Sequence, residues 1–133
     1  METYSTLISG LSREEQFNVD GEHTAYHIGS GDERVLATPW MISFMERVSN
    51  RLVIEHLSDG FMSVGIHVDV RHLAATPVNA TVRVRGEVVE VVKNRITLSV
   101  EAWDDEDKIG DGTHTRAVVE KSKFMQRVMN KSK

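Results

Sequence analysis

The hydrophobic pattern of this chain changes period at Gly60. Ahead of it, Met41, Phe44, Met45, Val48 and Leu52 recur at the spacing of one helical face. Thr38-Pro39 predicts the start of that helix, with threonine as N-cap and proline at the first helical position, where its missing N–H is harmless. Ser58-Asp59-Gly60 predicts its end, so the helix is expected over about 38–57. Beyond Gly60 the period becomes two. Ile66, Val68, Val70 and His72 alternate with Gly65, His67, Asp69 and Arg71 until Thr76-Pro77 breaks the run. Val82, Val84, Gly86 and Val88 carry a second strand towards Val92. A tight turn at Lys93-Asn94 leads into a third, with Ile96, Leu98, Val100 and Ala102 on one face. The charged loop Asp104-Asp105-Glu106-Asp107 precedes a last strand from Ile109 to Glu120. The basic tail from Lys121 to Lys133 is expected to form a short helix, with Phe124, Val128 and Met129 packing inward.

Ahead of the long helix, Gln16–Val19 and His23–Ile28 read as two strands around a turn at Asp20-Gly21, and Gly29-Ser30-Gly31-Asp32-Glu33 as a connecting loop. Strands, one long central helix, then about four antiparallel strands joined by hairpin-length connections make an α+β layer architecture. No repeat or second domain is visible, so residues 1–133 read as one domain.

Composition narrows the function classes. A net charge of −4 offers no basic field for nucleic acid. The absence of cysteine removes disulfides, thiolate metal sites and cysteine nucleophiles. No run approaches the roughly 18 apolar residues of a membrane span. Met1 to Arg13 lacks the charged start and apolar core of a secretion signal, so a cytoplasmic enzyme or binding domain is expected. The six histidines show no HxH or HExxH grouping, which argues against a zinc site. Neither a glycine-rich phosphate loop nor a Gly-x-Ser-x-Gly elbow is present.

Five residues carry candidate chemistry. Thr38 caps a helix and need do no more, yet that position is also where helix N–H groups favour developing negative charge. Glu46 lies on the helix face opposite Phe44 and Val48, the place of a solvated glutamate. Cover from another subunit would make it a better proton acceptor near neutral pH. Thr38 is about 12 Å away along the axis, too far for direct contact on a straight helix. His72 falls in phase with Ile66, Val68 and Val70, where a histidine is ordinarily a core residue; its place at a strand end, before a loop, favours a role as general acid or base. Arg116 on the last strand suits either a cross-strand ion pair or a clamp on an anion or on Glu46. Gly65, at the start of the strand ending at His72, marks a turn or a close approach of ligand to backbone.

Three motifs together carry a resemblance: Leu36-Ala37-Thr38-Pro39-Trp40-Met41 through Met45-Glu46, His72-Leu73-Ala74-Ala75-Thr76-Pro77, and Ile109-Gly110-Asp111-Gly112-Thr113-His114-Thr115-Arg116-Ala117-Val118. In this order they resemble the hot-dog-fold thioesterases of the fluoroacetyl-CoA thioesterase type, over roughly Val35 to Phe124. The resemblance implies an antiparallel sheet wrapped around one helix and a homodimer with its sites along the subunit interface. It implies thioester hydrolysis by Thr38, Glu46 and His72, with Gly65 approaching the acyl group, Arg116 near the site, and no metal or other cofactor. The family's named enzyme has an aromatic lid before the helix, whereas Gly31-Asp32-Glu33-Arg34 has no aromatic residue. A short or medium acyl-CoA is therefore the expected substrate rather than fluoroacetyl-CoA. A non-catalytic acyl-thioester binding module and a hot-dog enoyl-CoA hydratase are the alternatives; the Asp-x-x-x-x-His arrangement of a dehydratase is missing, since Arg51 stands at the fifth position after Glu46.

Overall fold

The computed structural model describes residues 6–132. Residues 1–5, where the segment read for a secretion signal begins, and Lys133, the end of the predicted tail helix, lie outside the described residues. The helix predicted from the core stripe is α2 (Thr38–Ile54); it follows a one-turn helix, α1 (Ala25–Ile28). Five strands, β1 (Ser12–Asn18), β2 (Phe61–His72), β3 (Thr81–Val92), β4 (Arg95–Trp103) and β5 (Lys108–Glu120), form one antiparallel sheet in the order β1-β3-β4-β5-β2. A last helix, α3 (Lys121–Asn130), follows β5.

One-sided burial explains why most of these elements were readable. Met41, Phe44, Met45, Val48 and Leu52 of α2 are all buried, against Val82, Val84 and Val88 of β3 and Ile96, Leu98, Val100 and Ala102 of β4. Each such side chain contributes about 1.5–3 kcal/mol by leaving water, so this face fixes where α2 lies across the sheet. At Gly110 a Cβ would stand 2.5 Å from Met41 Sδ, so the bare backbone of β5 lets α2 approach closely at the end that holds Thr38.

Four expectations need correction. Residues 23–28 are not a strand. Asp20 and Thr24 act as helix caps instead: the Asp20 N–H donates to His23 Nδ1, Thr24 Oγ1 accepts from the His27 N–H, and Gly29 at φ +80° closes α1. The strand β1, which begins earlier than predicted, pairs with β3 rather than with a local hairpin partner. The start of α2 also differs, because its N-cap is Ala37 and the Thr38 side chain makes no capping bond. The third correction concerns β2, which pairs with β5 and forms a sheet edge rather than making a hairpin with β3. Finally, Val128 and Met129 of α3 are 42% and 59% exposed, so they do not pack inward within the chain. No described helix is long and apolar enough to cross a membrane.

Strict alternation also fails within β2, because Gly65 pairs with Arg116 and His67 with Thr115, leaving Ile66 as an extra, bulged residue. The bulge brings Gly65 onto the same face as Val68, Val70 and His72, opposite the β5 residues Arg116, His114, Gly112 and Gly110. That is the face towards α2, and the candidate residues are gathered there.

Candidate active site

Thr38 and His72 meet directly. The threonine hydroxyl, freed from capping, lies 2.7 Å from His72 Nδ1 across the gap between the start of α2 and the end of β2. The other ring nitrogen, Nε2, is buried and has no hydrogen-bond partner among the described residues. A hydroxyl can donate or accept, so this contact leaves either ring nitrogen able to carry the proton. Desolvation lowers the His72 pKa, and the Ala74 backbone offsets only part of that fall. The ring is thus neutral at physiological pH and can exchange a proton with a ligand at Nε2. It opens on a cleft of about 420 Å³ whose walls include Ala25, Ser30, Leu36 and Ala75.

Glu46 sits in a second cluster. Its carboxylate Oε2 is 3.8 Å from Arg116 Nη1 and 3.9 Å from His114 Nε2, and the side chain remains 43% exposed. Gly65 makes this position possible: a Cβ there would come within 2.6 Å of Glu46 Oε2 and 3.1 Å of His114 Cε1. Arg116 is buried, and its donors are largely satisfied. Nε donates to Ser63 Oγ at 2.7 Å, Nη2 to the Ser63 carbonyl at 3.1 Å and to Asn50 Oδ1 at 3.4 Å. Burial lowers the Arg116 pKa and the Glu46 carboxylate opposes that shift; the guanidinium stays charged throughout. The arginine is therefore tied to β2 by hydrogen bonds to Ser63 rather than by a cross-strand ion pair, and its Nη1 side faces Glu46.

The two clusters are separate within one chain. Along β2, Gly65 and His72 stand on the order of 20 Å apart. So the structure brings together Thr38 with His72, and Glu46 with Gly65 and Arg116, but does not bring Glu46 to His72.

Sequence reasoning missed His114, Ser63 and Asn50. His114 is almost wholly buried, with Nδ1 2.9 Å from the His67 carbonyl oxygen and Nε2 3.1 Å from Arg116 Nη1. A signal existed: His114 and Arg116 are in phase with Val118, which places two polar side chains in an apolar face. A wider cleft of about 550 Å³, lined by Phe61, Lys121 and Met125 near α3, contains none of the candidate groups. Asp20, Glu22 and His23 could bring three ligand atoms within 4.8 Å of one another; in the structure His23 Nδ1 accepts from the Asp20 N–H as part of a helix cap, and Nε2 lies 4.0 Å from Glu22 Oε1.

Known proteins match this chain over most of its length. The family model for fluoroacetyl-CoA-specific thioesterases matches residues 19–122, a span that includes all five candidate residues. The fluoroacetyl-CoA thioesterase of Streptantibioticus cattleyicolor is 40% identical over 98 residues, 74% of this chain and 70% of that protein. A solved structure of a fluoroacetyl-CoA thioesterase superposes with a TM-score of 0.89 at 34% identity, covering 94% of this chain and 97% of the other. A hot-dog-like protein from Thermanaerovibrio acidaminovorans, 23% identical, shares the fold with a TM-score of 0.90 over 98% of this chain and 97% of its own. With its fold and its family both matched in this way, the chain belongs to the fluoroacetyl-CoA-specific thioesterase family and is a hot-dog-fold thioester hydrolase.

Proposed function

We propose that this thioesterase hydrolyses short or medium acyl-CoA thioesters to carboxylate and free CoA, at sites that two copies of the chain complete together. The observation that carries the reading is His72: a neutral imidazole with one nitrogen held by Thr38 and the other buried and unpartnered among the described residues, at the mouth of a cleft. A buried polar atom left without a partner costs about 1–3 kcal/mol, and a bound thioester or water would supply the missing bond.

In this reading the thioester carbonyl lies near the start of α2, where the helix dipole favours the oxyanion. Glu46 either draws a proton from water or attacks the carbonyl to form an anhydride that water then opens. Arg116 keeps the carboxylate oriented. His72 passes a proton through Nε2 to the departing thiolate, a contribution on the order of 10²–10⁴ in rate, while Thr38 holds the ring. No metal enters any step.

The separation of Glu46 from His72 supports a homodimer. Antiparallel pairing of two β2 edges, about a two-fold axis midway between Gly65 and His72, would set one protomer's Glu46 cluster against the partner's His72. Ile66 and Val68 on that edge are 44% and 39% exposed, as an unpaired interface would leave them. The small walls of the cleft, among them Ala25, Ser30, Ala74 and Ala75, together with a preceding segment free of aromatics, favour acyl groups larger than fluoroacetyl. Work on CoA thioesters suits a cytoplasmic protein.

A panel of acyl-CoAs with a thiol reagent tests the activity, release of free CoA being the expected result. Glu46→Ala and His72→Ala should each lower turnover at least about tenfold with the circular dichroism spectrum retained. Parent rates in both variants would remove these residues from the mechanism. A panel giving no free CoA would remove acyl-CoA as the substrate class.

A further inference from the structure

We propose that His114 is a positioning residue for this hydrolysis: its neutral imidazole holds the Arg116 guanidinium beside the Glu46 carboxylate, and protonating it draws that carboxylate away from the chemistry. The inference rests on the reading of Glu46 as the reacting carboxylate.

The geometry fixes the state of this ring. The His67 carbonyl oxygen, 2.9 Å from Nδ1, can only accept, so Nδ1 carries the proton. Arg116 Nη1, 3.1 Å from Nε2, can only donate, so Nε2 is a bare acceptor. Both bonds can be made only by the neutral Nδ1–H tautomer. The ring is 1% exposed and wedged against Gly65, which leaves it no other pose.

Glu46 Oε2 waits 3.9 Å from the same Nε2. While the ring is neutral, that nitrogen serves Arg116 and has nothing to offer the carboxylate. Once protonated, Nε2–H can no longer accept from Arg116 and must find an acceptor. Glu46 is within a small side-chain rotation. A carboxylate that accepts a charged hydrogen bond is a weaker base and nucleophile. The groups facing His114 are Arg116 on its own strand, Glu46 on α2 and His67 on β2. Burial, first of all, and then the Arg116 and His67 side chains resist protonation, while the His67 carbonyl and Glu46 favour it. Resistance wins, and the ring titrates below the ordinary imidazole value. The device therefore acts on the acid side of that range, and activity falls as pH falls through it.

The expected results are specific. Imidazole 15N and 13C shifts should show the Nδ1–H tautomer for His114 at neutral pH. Glu46→Gln should lower the His114 pKa, because it removes the one anionic neighbour that favours the charged ring. His114→Gln, whose carbonyl oxygen can still accept from Arg116, should keep kcat within about tenfold of the parent and lose the inflection that titrates with His114, while the dependence on the other reacting groups stays. His114→Ala should fall further, to about a hundredfold below the parent, the scale of a misplaced reacting group. A residue with a merely structural role would change the amount of folded enzyme and leave the shape of the pH profile alone. An Nε2–H tautomer, a His114 pKa indifferent to Glu46→Gln, or an unaltered acid inflection in His114→Gln would each overturn the proposal. Its failure is distinguishable from failure of the functional reading. Full activity in Glu46→Gln with the NMR coupling intact would discard the role of Glu46, whereas an inactive Glu46→Gln with no coupling would discard only that of His114.

Discussion

Two histidines on the α2 side of the sheet differ in what their ring nitrogens meet, and the difference underlies the separate roles proposed for them. His114 is held by two partners that each work in one direction, so its proton is fixed. His72 is held by a hydroxyl that works in both directions and keeps Nε2 free, so its proton can move. The residue between these two outcomes is Gly65. Its missing side chain leaves room for Glu46 Oε2, which a Cβ would meet at 2.6 Å. Gly65→Ala should therefore swing the carboxylate outward, since that side chain is flexible and partly exposed. Expected is a fall in kcat of about tenfold to a hundredfold, with a lowered melting temperature as well, because the buried His114 ring, 3.1 Å from the new Cβ, must also give way. Steady-state kinetics beside a thermal melt read both; a Gly65→Ala variant working at the parent rate would show that the carboxylate does not need this position. Thr38 and Glu46 could be picked out as residue types from the chain. Their partners could not, because a hydroxyl in a helix start looks the same whether it caps or reaches across to an imidazole.

Elements with one buried face were legible, and those without were not. The helix stripe, the run in β4, the run in β3 as far as Val88 and that in β5 from His114 to Val118 alternate because each side chain is either in the core or out of it. Residues 20–28 defeated the same reading, since Asp20 and Thr24 serve as local caps in a segment whose apolar residues mimic a strand, whereas the strand read over Gln16–Val19 overlaps β1. In β2 the obstacle is the bulge at Ile66, which has no mark in the residue pattern. Deleting Ile66 tests what the bulge does. Because Ile66 is the extra residue, the shortened strand can keep the Gly65–Arg116 and His67–Thr115 pairs as neighbours in a regular ladder, with Ser63 still on the face of Arg116. The deletion is therefore expected to fold with a denaturant midpoint near that of the parent. A slip of the strand by one residue would instead turn Ser63 and Gly65 to the opposite face and strip Arg116 of the bond at 2.7 Å to Ser63 Oγ, a loss of about 1–3 kcal/mol. A midpoint lowered by that amount would mean that the bulge itself, and not the pairs on either side, sets the register of β2.

At the scale of the molecule, the sheet has two edges built in opposite ways. The β1 edge carries Arg13, Glu14 and Glu15, with ion pairs from Arg13 and Arg51 to Glu15 and from Arg13 to Glu55 joining it to α2 and the residue that follows it. Such an edge discourages further pairing. The β2 edge instead presents Ile66 and Val68 along a 12-residue strand, and this is where a second copy is expected to add. Antiparallel addition would reverse the strand direction, so that each Gly65 end would meet a His72 end and two composite sites would form. Mixing two crippled variants distinguishes that arrangement from a site within one chain. In a heterodimer of Glu46→Ala and His72→Ala protomers, one composite site carries both lesions and the other carries neither. Unfolding and refolding the two variants together in equal amounts should restore roughly a quarter of parent activity, since half of all dimers are mixed and half of their sites are intact under two-fold symmetry. Refolding either variant alone gives none of this recovery. If the mixture is as inactive as its components while size-exclusion chromatography shows dimers, the carboxylate and the imidazole do not serve one thioester across the interface, and the shared-site reading falls.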